Sequence, residues 1–260
     1  MTKNLPTLSD QEAAFERNLP ILHRGKGPYR QSVTAAHDSF FAVLCGLIQP
    51  DIIAEVGAHA AEFSSKMRVA LPKVEILAFE ANPFVYALHA ERLQKEGVKY
   101  RNCAALDRTM KAEFKVPHNK EGKGDTSMSS INAWKNATAH DTFQVDAFPL
   151  DDILGTGTRN ICLWIDVEGA AANVLRGASH TLRQSEAVYI ELEKKSKWNA
   201  SASLDEAHAL LTDQGLLPLS RDIQQPDWQY NAVYVKPKWI ENLLVKDALA
   251  LYLGFKPNAG

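Results

Sequence analysis

Cysteine is scarce: the 260-residue chain holds three, at Cys45, Cys103 and Cys162. They lie far apart, are odd in number and sit in apolar stretches such as Ala42-Val43-Leu44-Cys45 and Ile161-Cys162-Leu163. That pattern excludes a disulfide framework and a cysteine-based metal site, and the three read as buried, reduced thiols. An excess of one charge is also missing, since 29 Lys and Arg against 31 Asp and Glu leave a net charge of −2. Proteins that grip nucleic acid by its phosphates carry a basic excess, so nucleic acid is not an expected partner. The small basic group Arg24, Lys26 and Arg30 reads as a solvated loop face. No apolar run approaches the roughly 18 residues of a membrane span, and Met1 to Asp10 lacks the apolar core of a secretion signal. The expected compartment is therefore the cytoplasm. There is no internal repeat and no Gly-x4-Gly-Lys-Ser/Thr loop, which leaves a P-loop nucleotidase without support.

What is present describes a globular chain with a real core: 45% hydrophobic and 23% charged residues. From Ile52 onward, short apolar runs alternate with amphipathic stretches, the pattern of a parallel sheet covered by helices. The predicted strands are Ile52 to Val56, Glu75 to Phe79, Lys99 to Ala104, Ile161 to Val167 and Ala187 to Leu192. Helices are predicted over Ala60 to Ala70, Pro83 to Lys95, Ala170 to Leu182 and Leu204 to Gln214, with Val33 to Leu47 as a leading helix. The alternation breaks between Thr109 and Leu150, where Ala112 to Val116 and Thr142 to Phe148 read as extended. The polar stretch between them, His118 to His140, reads as a lid, a binding loop or a disordered segment, flanked by solvated histidines. Trp239 to Phe255 is amphipathic; docking on the core is its default, a homodimer contact and a membrane-surface contact are the alternatives, and its few cations disfavour the last. The expected fold is α/β: a doubly wound, mostly parallel sheet with helices on both faces and a β-rich insertion after the third strand. It divides into an N-terminal extension and leading helix (1–50), a core domain (51–238, insertion at 109–150), and a C-terminal helix and tail (239–260).

Two strand ends carry the chemistry. The first runs into Glu55-Val56-Gly57-Ala58-His59-Ala60-Ala61, and the second ends in Phe79-Glu80-Ala81-Asn82-Pro83. In a doubly wound sheet this places a tight turn beneath a nucleotide-like ligand, with Glu80 able to accept both ribose hydroxyls. The bland alternative for Glu80 is a solvent-facing acid. A dinucleotide's pyrophosphate needs several glycines for close approach, and the turn offers only Gly57. S-adenosylmethionine has no phosphate, and Glu55 is a partner for its ammonium. The fourth strand ends in Asp166-Val167-Glu168-Gly169, where both acids can reach the ligand edge of the sheet or Glu168 can cap the next helix.

An ordered series of motifs then carries a resemblance: Glu-Val-Gly-Ala-His (55–59), Ala-Phe-Glu-Ala-Asn-Pro (78–83), Asn-Cys-Ala-Ala-Leu-Asp (102–107), Ser-Met-Ser-Ser-Ile (127–131), Pro-Leu-Asp-Asp-Ile-Leu (149–154) and Ile-Asp-Val-Glu-Gly-Ala (165–170), followed by Val-Leu-Arg-Gly-Ala (174–178). The series resembles the FkbM family of S-adenosylmethionine-dependent methyltransferases over Ile52 to Glu193. The resemblance implies a Rossmann-like class I methyltransferase fold and O-methylation of sugar or polyketide-type hydroxyls. It also implies that Ala104 and Ala105 lie near the adenine. The family's first motif, Asp-x-Gly-Ala-Asn-x-Gly, here has Glu55, His59 and Ala61 at its acid, Asn and final Gly.

The cofactor-contacting set is then Glu55, Gly57, Ala58, His59, Glu80, Ala81, Asn82, Ala104, Ala105 and Asp166, and Glu168, Ser129 and Ser130 are the candidates for the acceptor. Methyl transfer to a neutral hydroxyl gains from a base. Asp166 is the candidate, with His59 second or else a packing residue. A divalent metal is compatible with transfer to a hydroxyl, but no ligand cluster in the sequence compels one, and no metal ligands are assigned. Trp134, Trp198 and Trp228 can stack on a sugar ring or cover the core edge. The acceptor is expected to be a hydroxyl of a glycan or small natural product. An NAD(P)-dependent oxidoreductase and a non-catalytic S-adenosylmethionine-binding protein are the alternatives.

Overall fold

The computed structural model describes residues 5–22, 26–118, 124–137, 139–155, 157–195, 198, 203–225 and 227–255. Arg24 lies outside these residues, and Arg30 pairs with Glu16 at 3.0 Å. In chain order the elements are α1 (Leu8–Leu22), α2 (Lys26–Ile48), β1 (Ile52–Val56), α3 (Glu62–Ala70), β2 (Glu75–Glu80), α4 (Pro83–Glu96), β3 (Lys99–Asn102), β4 (Ala104–Ala105) and β5 (Met110–Pro117). There follow β6 (His140–Phe148), α5 (Leu150–Leu154), β7 (Ile161–Ile165), α6 (Ala171–Arg176), α7 (Ser179–Gln184), β8 (Ser185–Glu193), α8 (Leu204–Thr212), β9 (Leu217–Arg221), β10 (Gln229–Val235), α9 (Pro237–Ile240) and α10 (Leu243–Leu253).

Seven strands form one sheet in the order β3-β2-β1-β7-β8-β10-β9. Ladders from β3 through β8 are parallel, and β10 runs antiparallel to both β8 and β9. β1, Ile-Ile-Ala-Glu-Val, is buried throughout because helices cover both faces of the sheet. One layer packs Phe41, Leu44 and Met67 against Ile53, Cys162 and Tyr189; the other packs Val174, Leu182 and Leu211 against Ala54, Leu163 and Ile190. All three cysteines are free and buried, as their apolar flanks predict. No helix among the described residues is long and apolar enough to cross a membrane.

Three local expectations change. The single strand expected over Lys99 to Ala104 divides: β3 stays in the main sheet, and β4 joins a small sheet of order β4-β6-β5 formed with the insertion. The single helix expected over Ala170 to Leu182 breaks into α6 and α7 at Gly177, where a Cβ would stand 1.9 Å from the carbonyl oxygen of Leu106. The chain turns there so that the segment after β4 can pass. Finally, α1 and the β9–β10 pair are additions: Gln11 Nε2 donates to the Leu219 carbonyl (2.9 Å) and Gln11 Oε1 accepts from Arg221 N–H (3.1 Å), so α1 covers the edge strand β9. α10 docks on the core through Val245, Leu249 and Tyr252.

Candidate active site

Strand side chains alternate between faces, and this sorts the acids. Ile53, Ala78, Cys162, Trp164 and Tyr189 face the α2 layer. Glu55, Glu80, Asp166 and Glu191 are in phase with them, at or next to the carboxyl ends of β1, β2, β7 and β8, and so converge on one edge of the sheet.

The turn after β1 touches the end of β7. Gly57 (φ +78°) has no room for a side chain, because a Cβ would stand 1.8 Å from the Asp166 carbonyl oxygen. Its N–H and that of Ala58 donate to the Phe79 carbonyl at 3.0 and 2.9 Å, tying the turn to β2. His59 (φ +46°) and Ala61 (φ +51°) take left-handed conformations without being glycine, a strain of about 1 kcal/mol or more each.

Two cavities meet at this turn. The larger, of about 380 Å³, has an apolar end with Phe79, Ala104, Ala105 and Phe114, and a polar end with Glu168, Glu191 and Gln224. Glu80, 6% exposed, stands between its walls. One of its carboxylate oxygens accepts the His59 N–H at 2.8 Å and the other the Asn82 N–H at 2.6 Å. Burial raises its pKa, and these two N–H groups oppose the rise. The smaller cavity, of about 230 Å³, shares Gly57, His59 and Asp166 with the larger and adds Asp38, Glu55 and Lys66. Burial pushes Glu55 up to about 7, against the Ser64 N–H that its Oε2 accepts at 2.8 Å. Burial likewise lifts Asp166 to about 6, and the charges of Asp38 and Asp222 add to this.

The family model of the methyltransferase FkbM domain matches residues 51–216. The chain belongs to this family. Its cofactor is S-adenosylmethionine, and the residues fit it: a buried carboxylate beside an apolar slot, and no Lys or Arg along the larger cavity among the described residues to meet a pyrophosphate. The oxidoreductase alternative falls with this match. No curated protein matches the chain in sequence. Among solved structures it is similar to a putative O-methyltransferase from Klebsiella pneumoniae (15% identity, 91% of this chain and 92% of that one, TM-score 0.44). It is also similar to magnesium protoporphyrin IX methyltransferase from Synechocystis PCC 6803 (8%, 87% and 92%, 0.46) and to 1,6-didemethyltoxoflavin-N1-methyltransferase from Burkholderia thailandensis (11%, 91% and 93%, 0.42).

Within this FkbM site, Gly57, His59, Glu80, Ala81, Ala104, Ala105, Ser129, Ser130, Asp166 and Glu168 all line the larger cavity. Glu55 and Ala58 do not; they line the smaller one. Asn82 lines neither: its Oδ1 caps α4 by accepting the N–H groups of Phe84 and Val85, so its side chain serves the helix. His59 is exposed and borders both cavities, with its ring 6.2 Å from that of His89. Glu168 does not cap α6, whose N-cap is Ala170 with no side-chain hydrogen bond.

The insertion folds over the site. Ser130 donates to the Glu168 carbonyl (2.6 Å) and accepts from Asn132 N–H (3.1 Å), and Asn132 Nδ2 donates to the Gly169 carbonyl (2.8 Å). The Ser130 hydroxyl is thereby engaged in holding the loop to the β7 turn. Trp198 is buried against Gly169 and so covers the core edge, whereas Trp228 is 46% exposed. His118 and His140 are half-buried at the end of the β5–β6 pair, and His118 pairs with Asp141 at 3.0 Å, unlike the solvated histidines expected.

Sequence reasoning missed Asp38, Glu191, Gln224, Gln225 and Gln229. Glu191 brings a third acid to the pair at the β7 tip: ligand atoms of Asp166, Glu168 and Glu191 lie within 4.8 Å of one another, close enough to share one divalent cation. Its signal was its phase in β8, two residues after Tyr189. The glutamines have none, because Gln224 and Gln225 of the β9–β10 turn and Gln229 at the start of β10 arrive only through the sheet order.

Proposed function

We propose that the protein transfers the methyl group of S-adenosylmethionine to a neutral hydroxyl of a sugar, glycan or small natural product, within the cytoplasm. The observation that carries the reading is the lining of the larger cavity beyond Asp166: carboxylates of Glu168 and Glu191 and amides of Gln224, Gln225 and Gln229, with no Lys or Arg among the described residues. Such a wall repels an anionic acceptor and suits a neutral, polar one; Gln229 Nε2 ties it together by donating to Glu191 Oε2 at 2.7 Å and Gln224 Oε1 at 3.3 Å.

Glu80 holds the ribose hydroxyls, the slot beside Ala81, Ala104 and Ala105 takes the adenine, and Glu55, Gly57 and Ala58 lie toward the methionine portion. Transfer is an in-line displacement, so these residues chiefly align the acceptor oxygen with the methyl carbon and exclude water. As the new C–O bond forms and the C–S bond breaks, the hydroxyl proton passes to Asp166, which at neutral pH is above the value of about 6 that its burial sets. His59, at the mouth of both cavities, is the second group able to take it.

Calorimetric titration with S-adenosylmethionine and its demethylated product tests the cofactor, and incubation of methyl-labelled cofactor with glycans and hydroxylated metabolites tests the transfer. Label recovered in a methyl ether is the expected outcome. No binding of either ligand at millimolar concentration defeats the reading, and binding without transfer to any acceptor favours a non-catalytic cofactor-binding protein.

A further inference from the structure

α2 precedes the segment matched to the family, yet one face of it reaches the site. Thr34, His37, Asp38 and Phe41 follow the i, i+3, i+4, i+7 spacing of a single helix face. That face lies on the sheet: Thr34 Oγ1 donates to Asp222 Oδ2 at 2.7 Å, His37 Nε2 is 2.9 Å from Ser220 Oγ, and the Phe41 ring packs 6.0 Å from that of Trp164. Asp38 alone of the four opens on the smaller cavity, where it joins Glu55, Asp166 and Lys66. Its Oδ1 accepts the Tyr189 hydroxyl at 2.6 Å, and the Tyr189 ring is stacked on Trp164 with centroids 3.7 Å apart. The carboxylate is thus held in place by a rigid aromatic pair.

A cofactor whose adenosine lies beside Glu80 has two ways onward from the junction of Gly57, His59 and Asp166. Its amino-acid end carries an ammonium and a carboxylate. The way toward Glu168 and Glu191 offers that carboxylate two like charges and no Lys or Arg among the described residues. The way into the smaller cavity is also acidic, with Asp38, Glu55, Glu62 and Asp166 for the ammonium, but among the described residues it alone of the two adds a cation, the Lys66 ammonium, for the carboxylate.

We propose that Asp38 of α2 and Lys66 of α3 bind the amino-acid end of S-adenosylmethionine. The assignment rests on the methyltransferase reading above, adds a binding residue from outside the family segment, and leaves the acid and glutamine end of the larger cavity to the acceptor.

Two probes separate the ends of the ligand in the full chain: S-adenosylhomocysteine, and 5′-methylthioadenosine, which keeps the adenosine and sulfur and lacks the amino acid. Asp38→Asn is expected to weaken S-adenosylhomocysteine about tenfold or more and to leave 5′-methylthioadenosine within about twofold, with Asp38→Glu recovering part of the loss. Lys66 is exposed, so Lys66→Met does not endanger the fold; it is expected to weaken the first probe several-fold and spare the second. Equal weakening of both probes by Asp38→Asn makes its role structural and overturns the assignment, as does unchanged S-adenosylhomocysteine affinity in both variants. Wild-type protein that binds neither probe overturns the methyltransferase reading itself, an outcome distinct from any confined to the variants.

Discussion

The two cavities share Gly57, His59 and Asp166 and otherwise differ in kind. The larger is apolar at one end and lined by acids and amides at the other; the smaller sets Asp38, Glu55, Glu62 and Asp166 against Lys66 over a floor of Phe63 and Trp164. One surface suits the shape and hydroxyl groups of neutral moieties, the other suits separated charges. The difference teaches where a sheet edge gets its selectivity. Strand tips supply carboxylates to both cavities, and the covering elements, α2 and α3 on one side and the β9–β10 turn on the other, decide what those carboxylates meet.

A change at the turn the two cavities share tests this most severely. Gly57→Ala places a methyl group against the Asp166 carbonyl in a left-handed conformation, so strain and overpacking are expected to lower stability by about 2 to 5 kcal/mol and to abolish cofactor binding. Denaturant titration reads the first and calorimetry the second; unchanged stability would mean that β1 and β7 do not meet as described. Next in size, Glu80→Gln acts on the larger cavity, where a charged acceptor of two ribose hydrogen bonds is worth about 2 to 3 kcal/mol, roughly 30- to 150-fold in affinity. It should weaken S-adenosylhomocysteine and 5′-methylthioadenosine alike, in contrast to Asp38→Asn.

Titration sharpens the contrast further. Burial holds Glu55 at about 7, facing Ser64, Asp166 and Glu62, and Asp38 at about 6, facing Tyr189, Asp222 and Lys66. A ligand ammonium favours their charged forms, so S-adenosylmethionine should bind about tenfold or more tightly at pH 7 than at pH 5, with a far smaller change for 5′-methylthioadenosine. The sign for the ligand-free fold is opposite: these groups retain protons that the unfolded chain gives up near 3.8 and 4.5, so their contribution to stability falls as pH rises toward about 7. An affinity independent of pH over this range would remove charge recognition from the smaller cavity. The smallest effect belongs to the loop: Ser130→Ala loses its bonds to Glu168 and Asn132, about 1 kcal/mol, and hydrogen exchange should quicken locally around residues 124–132 while cofactor affinity stays within a fewfold.

Much of the architecture was legible because parallel strands buried on both faces are short apolar runs. β1, β2, β7 and β8 and the helices α3, α4 and α8 lie close to where periodicity puts them. Glu80 and Gly57 were legible because a strand end followed by a tight turn or a helix cap leaves a local signature. Asn82 shows the limit of such reading: Asn-Pro before a helix marks a cap and a ligand loop equally, and the Phe84 and Val85 N–H groups show that its side chain serves the cap. The break at Gly177 and the transfer of β4 to a second sheet depend on Leu106 passing close by, a contact between segments some seventy residues apart.

The sequence by itself determined the alternation of strands and helices, the family, and the acids at the ends of β1, β2 and β7, because each is written in local patterning and spacing. Only the tertiary structure decided which groups face them. Asp38, Glu191 and the β9–β10 glutamines reach the site through the packing of α2 on the sheet and the order β7-β8-β10-β9. Such neighbours are set by the burial of whole faces rather than by any residue's local preference.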